Sequence, residues 1–446
     1  MTLSTSADWL AGSKSRTLEN LAIPINYAST VDPPAGRVFT RQWEIDSYLA
    51  QQGASAFKHV MAVWDALPFT IAHTITLNLA AGVHRPRSPD PTHAGNTLNA
   101  YQFDNHVVAG GVVILQGSTT FDAVSGPLTG LTVTAASLTV DPYVDFSGTP
   151  FAGLDLRGLF VVFSTGQKCQ IHDHTDSRLE VTTALSPTPV GGTATVSRPS
   201  TILRNSLNDT SAVFTQALAQ VDVSGVPLSF LSGLPDGHFQ VGEAIVFHSI
   251  MFQPFLSASG TWALITVNSS SCVLLSCLLD LVHQNATFGI AVGGRAFQAT
   301  GGPATSSVLN MRRCGSKAPL SAALQGHAFW FQRTTGSLGQ SVFYGGARGL
   351  SLGGPLTIVG LTSCVVAQQT AVCIDAGEGG GLRLSASGAN QKTWLRNAPI
   401  GLLANAVTFY DLNFALWAKS ISGSCVKLIG AANIASLVTS STNGLR

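Results

Sequence analysis

Charged side chains are scarce. The 446 residues include 24 Lys and Arg against 23 Asp and Glu, so 11% are charged and the net charge is +1. Soluble domains average about 25% charged residues. So neutral a chain has no electrostatic footprint for nucleic acid, which excludes that class of partner. Long apolar runs are missing too. The most apolar stretch, "CVLLSCLLDLV" at Cys272–Val282, is far below the roughly 20 residues that span a bilayer, so membrane insertion is not expected. The opening "MTLSTSADWLAGSKSRTLEN" has no apolar core after a basic start, so it does not read as a secretory signal. Paired Cys-x-x-Cys spacings are absent. The seven cysteines, Cys169, Cys272, Cys277, Cys314, Cys364, Cys373 and Cys425, are expected as reduced, buried small hydrophobes rather than zinc ligands. Helix signals are lacking after the first 70 or so residues.

Glycine, by contrast, is abundant at 45 residues, and the apolar content of 45% argues against disorder. Two helices are expected near the start. "RQWEIDSYLAQQ" (Arg41–Gln52) has apolar positions at Trp43, Ile45 and Leu49. "SAFKHVMAVWDALP" (Ser55–Pro68) puts Phe57, Val60, Met61 and Trp64 on one face, with Pro68 as the stop. Beyond them, short runs of Val, Ile, Leu and Thr alternate with Gly, Asn, Ser and Pro, which is all-β punctuation.

A triplet of apolar, small or polar, and apolar residues recurs in the second half. It occurs as "ITV" at Ile265, "FGI" at Phe288, "LSA" at Leu320, "LSL" at Leu350, "VCI" at Val372, "IGL" at Ile400 and, degenerate, "SCV" at Ser424. Steps of this size suit one coil of a β-solenoid, with coil length varied by loop insertions. Glycine and asparagine are expected at the corners, since they accept positive φ cheaply. A globular sandwich is the alternative, but it would want more even spacing.

The segment "GASAFKHVMAVWDALPFTIAHTITLNLAAGVHRP" (Gly53–Pro86) resembles the opening of pectin-lyase-like right-handed parallel β-helices. The resemblance makes Val60–Pro68 the helical cap and His73–His84 the first strand and turn. "GGVVILQGS" (Gly110–Ser118) becomes the next inner strand. It covers Gly53–Ser118 closely and Ser206–Arg446 loosely. Such openings occur in carbohydrate-active enzymes and in bacteriophage tail fibres, tailspikes and baseplate proteins. Low charge and the unsigned N-terminus favour the phage setting, in which the protein would be assembled in the host cytoplasm into the virion tail. Between these parts, Leu156–Leu203 resembles a small β-module of phage structural proteins. Its strands are expected at Phe160–Ser164, Gln170–Ile171, Arg178–Thr183 and Thr193–Val196.

The fold expected is therefore all-β: a single-stranded solenoid, a right-handed parallel β-helix with an N-terminal helical cap and an inserted antiparallel module. Its parts are an attachment arm at 1–52, cap and first coils at 53–118, the insertion at 119–206 and the helix proper at 207–446.

Candidate sites are few. "QIHDHTDS" (Gln170–Ser177) holds His172, Asp173, His174 and Asp176, all metal-binding types. His172 and His174, two apart on a strand, would share a face. His84, His93 and His106 are further ligand candidates, but nothing places them nearby. We expect Asp173–Ser177 to be the polar turn of a hairpin, with no metal and no cofactor. Asp375, Glu378 and Asp411, with Arg383 nearby, form the best carboxylate set for glycoside hydrolysis, which needs two acids close together. The plainer reading is corner acids in solvated loops. The Gln, Asp and Arg pattern of pectin methylesterases finds no match. Aromatics in "HAFWFQ" (His327–Gln332) and "VFYGG" (Val342–Gly346) would line a sugar groove, the core or a trimer contact. "HRPRSPDPTH" (His84–His93) reads as a projecting loop.

The function expected is structural: a phage tail fibre, tailspike or baseplate component in tail assembly or host recognition. The partners would be two further copies in a homotrimer, other tail proteins through the N-terminal arm, and a host-surface polysaccharide. A depolymerase, lyase or esterase on the same scaffold is the rival. An adhesin or autotransporter passenger is a third reading, against which the lack of a signal and of a transporter barrel counts.

Overall fold

The computed structural model describes residues 19–429 apart from 89–100, 205–220, 225–244, 254–262, 281–294, 301–306, 318–326, 385–392 and 411–415, with breaks of one to three residues elsewhere. The chain winds into a parallel β-helix of three sheets. Sheet I has ten strands, from Leu21–Ile25 to Thr408–Tyr410; sheets II and III have nine each. Each coil passes from sheet I to II to III. Every strand pairs in parallel with its counterpart one coil on, so the backbone groups of one coil are satisfied by the next.

In-register stacking builds the core. In sheet I, Ile23, Leu77, Leu115, Phe247, Leu274, Met311, Leu338 and Leu361 stand in one column, and all are buried. In sheet III the column runs Ile265, Phe297, Phe329, Leu350, Ile374, Leu402, Val426. The repeated triplets thus mark sheet III, though not its register. Ile265 and Leu350 are first in their triplets, while Ile374, Leu402 and Val426 are third. A slip of two residues preserves the inward face, because side chains alternate with period two. "FGI" and "LSA" lie outside the described residues. The sheet III strands of those coils are Arg295–Thr300 and His327–Gln332.

The corners depart from expectation. Among the described residues, eight other than glycine have positive φ: Ser249, Ser276, Arg313, Gln340, Ser363, Gln368, Asn397 and Ser420. The first five turn sheet I into sheet II and the last three follow sheet II; one of the eight is asparagine. The left-handed conformation costs these residues about 1–2 kcal/mol each. A hydrogen bond between coils offsets it. The N–H of Ser249 donates to Leu275, that of Ser276 to Arg312, that of Arg313 to Gly339 and that of Gln340 to Thr362, at 2.8–3.0 Å. After three of these corners sit Cys277, Cys314 and Cys364, whose Sγ atoms lie 3.2–3.3 Å from carbonyl oxygens one coil back. Cys169, Cys272, Cys277, Cys314, Cys364 and Cys373 are buried free thiols, and Cys425 is half-buried. Burial pushes the Cys364 and Cys373 thiols up to about 12, so they stay protonated.

The start of the chain needs correction. Leu21–Ile25 is no detached arm; it is the terminal strand of sheet I, paired with Thr74–Leu79. Helix α1 (Gln42–Gln51) packs Ile45 and Leu49 inward, while Trp43 is 60% exposed. Helix α2 (Val60–Asp65) buries Val60, Met61, Val63 and Trp64. Phe57 lies outside that helix and instead bridges to Ile25.

The module is a seven-stranded antiparallel sheet between Phe121 and Pro199, with its own core of Val133, Val144, Phe151, Val161, Ile171, Leu179 and Val196 among others. It enters inside a coil. Val112–Gln116 belongs to sheet I and Thr201–Leu203 to sheet II, so the module replaces a corner that other coils turn with one or two residues.

Phe343 fills the lumen, fully buried, with its ring edge-on to Phe329 at 4.7 Å. Phe343→Ala is expected to cost about 3–5 kcal/mol, to be read as a shift in the urea unfolding midpoint.

Candidate functional site

The ligand-rich stretch of the module folds differently from a turn. Strand Lys168–His174 carries His172, Asp173 and His174, and the bend begins only after His174. The strand extends because the ladder with Arg178–Val181 continues, pairing Asp173 with Glu180 and His174 with Leu179. His172 is the extra residue of a β-bulge between Ile171 and Asp173. The bulge breaks the two-residue alternation, so the histidines do not share a face as expected. His172 is buried, its Nδ1 3.8 Å from Glu180 Oε2. His174 Nε2 instead accepts the Leu156 N–H at 3.3 Å.

Arginines occupy the place where a cation would sit. Arg157 Nε donates to Asp173 Oδ1 at 3.0 Å. Arg396, on the solenoid strand Thr393–Arg396, donates through Nη1 to Asp173 Oδ2 at 3.2 Å and to Glu180 Oε2 at 3.0 Å. Arg157 Nη1 also donates to the Tyr344 hydroxyl at 3.3 Å. Lys317 Nζ stands 3.4 Å from Asp155 Oδ2. Burial works to raise the Asp173 carboxyl, but the Arg157 guanidinium, its hydrogen bond, the His174 N–H and Arg396 outweigh it and hold it below the ordinary value. Burial first, then Arg396, pushes the His172 imidazole down to about 3, so it is neutral. The stretch is therefore the docking surface of the module on sheet II. Among the described residues, no three His, Cys, Asp or Glu side chains gather in a metal-holding group.

The other candidates are scattered. His84 ends a sheet II strand, buried, with Nε2 2.8 Å from the Ala80 carbonyl oxygen; it does not belong to a projecting loop, and burial lowers its imidazole. His106 packs edge-on against Trp64 at 4.5 Å in the cap. His93 lies outside the described residues. Asp375 is half-buried on sheet III, with Oδ2 3.1 Å from Arg348 Nη1. Burial raises its carboxyl, and Arg348 only partly opposes this. Glu378 and Asp411 lie outside the described residues, as does the side chain of Arg383. Of the aromatics, Phe329, Phe331 and Phe343 are core, and Tyr344 is buried beneath the module.

The sequence reading missed an open groove of about 440 Å³ on the outer face of sheet I. It crosses four coils. Leu275, Arg312, Gly339 and Thr362 form one row in register, and Val273, Asn310, Ser337 and Gly360 the next. Gln340 and Ser363 edge it at the corners. Gln340 Oε1 accepts from Arg313 Nε at 3.3 Å, and its carbonyl accepts from the module's Thr182 hydroxyl at 3.3 Å. No sequence signal marks the groove, since its polar residues come two at a time from coils more than twenty residues apart.

No family model matches the chain, and no curated protein matches it. Several solved structures are similar at low identity. The tailspike protein gp49 from Pseudomonas phage LKA1 is 10% identical, with a TM-score of 0.21 over 92% of this chain and 83% of that one. A glycoside hydrolase is 7% identical, with a TM-score of 0.24 over 96% and 99%. The Gp54 tailspike of Acinetobacter baumannii bacteriophage AP22, in complex with A. baumannii capsular saccharide, is 9% identical, with a TM-score of 0.17 over 91% and 79%. At these TM-scores the similarities carry nothing over to a site in this chain.

Arg396 is 5% exposed and grips both module carboxylates. Arg396→Ala is expected to cost the docked state roughly 1–3 kcal/mol, because it takes a charge-assisted hydrogen bond from Glu180 and leaves Asp173 with Arg157 alone. The more exposed pair Arg178–Asp145 is the control. Arg178→Ala is expected to change stability by less than about 1 kcal/mol, both being measured by chemical denaturation.

Proposed function

We propose that this chain is a structural protein of a bacteriophage tail, a fibre, tailspike or baseplate component that contacts the host surface through the sheet I groove. The sequence resemblance at Gly53–Ser118 supports the setting. One observation carries the host-contact role: the groove itself. It sets hydroxyls of Ser337, Thr362 and Ser363, amides of Asn310 and Gln340, and the Arg312 guanidinium over Val273 and Leu275. Side chains repeating from coil to coil suit a chain of sugars. Hydroxyls and amides match sugar hydroxyls, and a guanidinium pairs with an acidic substituent. None of the lining residues is a carboxylate, so the groove lacks the two acids that glycoside hydrolysis needs. Its role is binding. A homotrimer, docking of the N-terminal segment on other tail proteins, and assembly in the host cytoplasm complete the proposal.

A second reading rests on Asp375. Its carboxyl is half-buried and raised, the condition that suits a general acid. With Glu378 or Asp411 as partner, it would make the protein a depolymerase, lyase or esterase.

The test is binding of capsule and lipopolysaccharide fragments from candidate hosts, followed by calorimetry and by a reducing-end assay. Binding without new reducing ends is expected, with Arg312→Ala weakening it about tenfold or more, the worth of one charge-assisted contact. Release of reducing ends that stops in Asp375→Asn would establish the enzyme instead.

A further inference from the structure

The contact between module and solenoid changes character along its length. Near the stem it is apolar: Phe121, Leu159 and Phe160 of the module pack on Ile202, Met251 and Leu278. Both chain connections are here. Ser118 N–H donates to Thr201 Oγ1 at 2.9 Å, and Ser200 Oγ donates to the Thr120 carbonyl at 2.7 Å. Away from the stem the contact is polar. It includes Gln170 beside Gly315, the Asp155–Lys317 pair, the Thr182 and Arg157 hydrogen bonds to Gln340 and Tyr344, and the four-membered network of Arg157, Asp173, Glu180 and Arg396. Four buried polar atoms of this half have no hydrogen-bond partner: Gln170 Oε1, His172 Nδ1, Ser316 Oγ and Arg396 Nε. A permanently fused core leaves few such atoms. Polar contacts of this sort belong to domains that move against one another.

Beneath the polar half lies an apolar strip on the outer face of sheet II. Val342, Tyr344, Val365 and Ala367 are buried there, with Trp394 packed against them. Phe343, between the first two, points into the lumen, so Val342 and Tyr344 point outward. The Arg157–Tyr344 contact places the module over them.

We propose that the module is an arm hinged at its apolar stem, held shut by the Arg396 clasp, and that mild acid opens it to uncover the sheet II strip. The hinge stands whether or not the groove binds a glycan. The charged and titratable groups at the clasp are Asp155, Arg157, His172, Asp173, His174 and Glu180 from the module, and Arg313, Lys317, Tyr344, Arg396 and Lys419 from the solenoid. His172 is neutral while shut, held down to about 3 by burial and Arg396 against an ordinary value of 6.5. In the open arm it regains that ordinary value. Below 6.5 the open form therefore binds one more proton than the shut form, and acid favours opening over the window from 6.5 to about 3. Asp173, held low while shut, joins only below its ordinary 3.8.

The test places dyes through non-natural amino acids at exposed Val190 in the module and exposed Thr335 on sheet I. Energy transfer then reads opening, and far-ultraviolet circular dichroism reads the solenoid. Between about pH 6.5 and 4.5 the open-to-shut ratio is expected to rise reversibly, by up to about tenfold per pH unit, with the β signal unchanged. His172→Gln is expected to flatten that slope, which a merely structural role would not do. Arg396→Met is expected to open the arm at neutral pH. Gly315→Val is a second wedge, because a Cβ there collides with the Gln170 amide and the Gly158 carbonyl. Transfer that stays constant with pH in the wild type and is unmoved by either substitution would overturn the hinge. So would loss of arm and solenoid structure together at one pH.

Discussion

The parallel hydrogen-bond ladder between coils is the constraint on which everything else rests. A solenoid coil has no core of its own; its inward face is covered only when the next coil lies in register. The register columns through Phe247, Leu274 and Met311 meet that demand. The corners meet it too, since a corner residue outside the ladder would leave a buried backbone N–H unsatisfied. This explains how serine, arginine and glutamine tolerate positive φ at these places. Glycine would relieve the strain but would also widen the unfolded ensemble.

A ladder must end somewhere, and an open edge invites further strands. At the N-terminal end three devices close it. Pro24 removes a donor from strand Leu21–Ile25. Phe57 brackets Pro24, giving its N–H to the Pro24 carbonyl and accepting the Asn26 N–H. Gln42 clasps Ala22 with both ends of its amide, at 2.8 and 3.0 Å. Glu44 in turn fixes the helix start by accepting the N–H groups of Thr40 and Arg41. The cap thus uses polar side chains to do for the edge what the next coil does elsewhere.

This accounts for what the sequence made legible. The cap, the first strands and the sheet III triplets are local patterns, and local patterns survive in sequence. Leu21–Ile25 was hidden because Pro24 makes a strand look like an extended arm; only its pairing with Thr74–Leu79 restores it. The ends of the module strands were misplaced for a similar reason. Asp, His and Thr favour a turn by their own propensity, yet Asp173 is kept on a strand by Arg157 and by Arg396, more than two hundred residues away. The groove was hidden because each coil contributes only two or three of its residues. Side chains that act together across coils leave no motif.

The module also shows how a ligand-like cluster can be built into an interface. Two carboxylates, Asp173 and Glu180, face two guanidinium groups, so the charges balance without a metal. Burying such a set yields little net stability, since desolvation cancels much of the attraction. Packing against sheet II with apolar side chains throughout would hold the module more firmly. The apolar contacts are instead gathered at the stem around Phe160 and Met251, and the charges lie beyond it. Balanced charge at that place sets orientation more than strength: Asp173 and Glu180 meet Arg396 only when the module lies in one position on the solenoid.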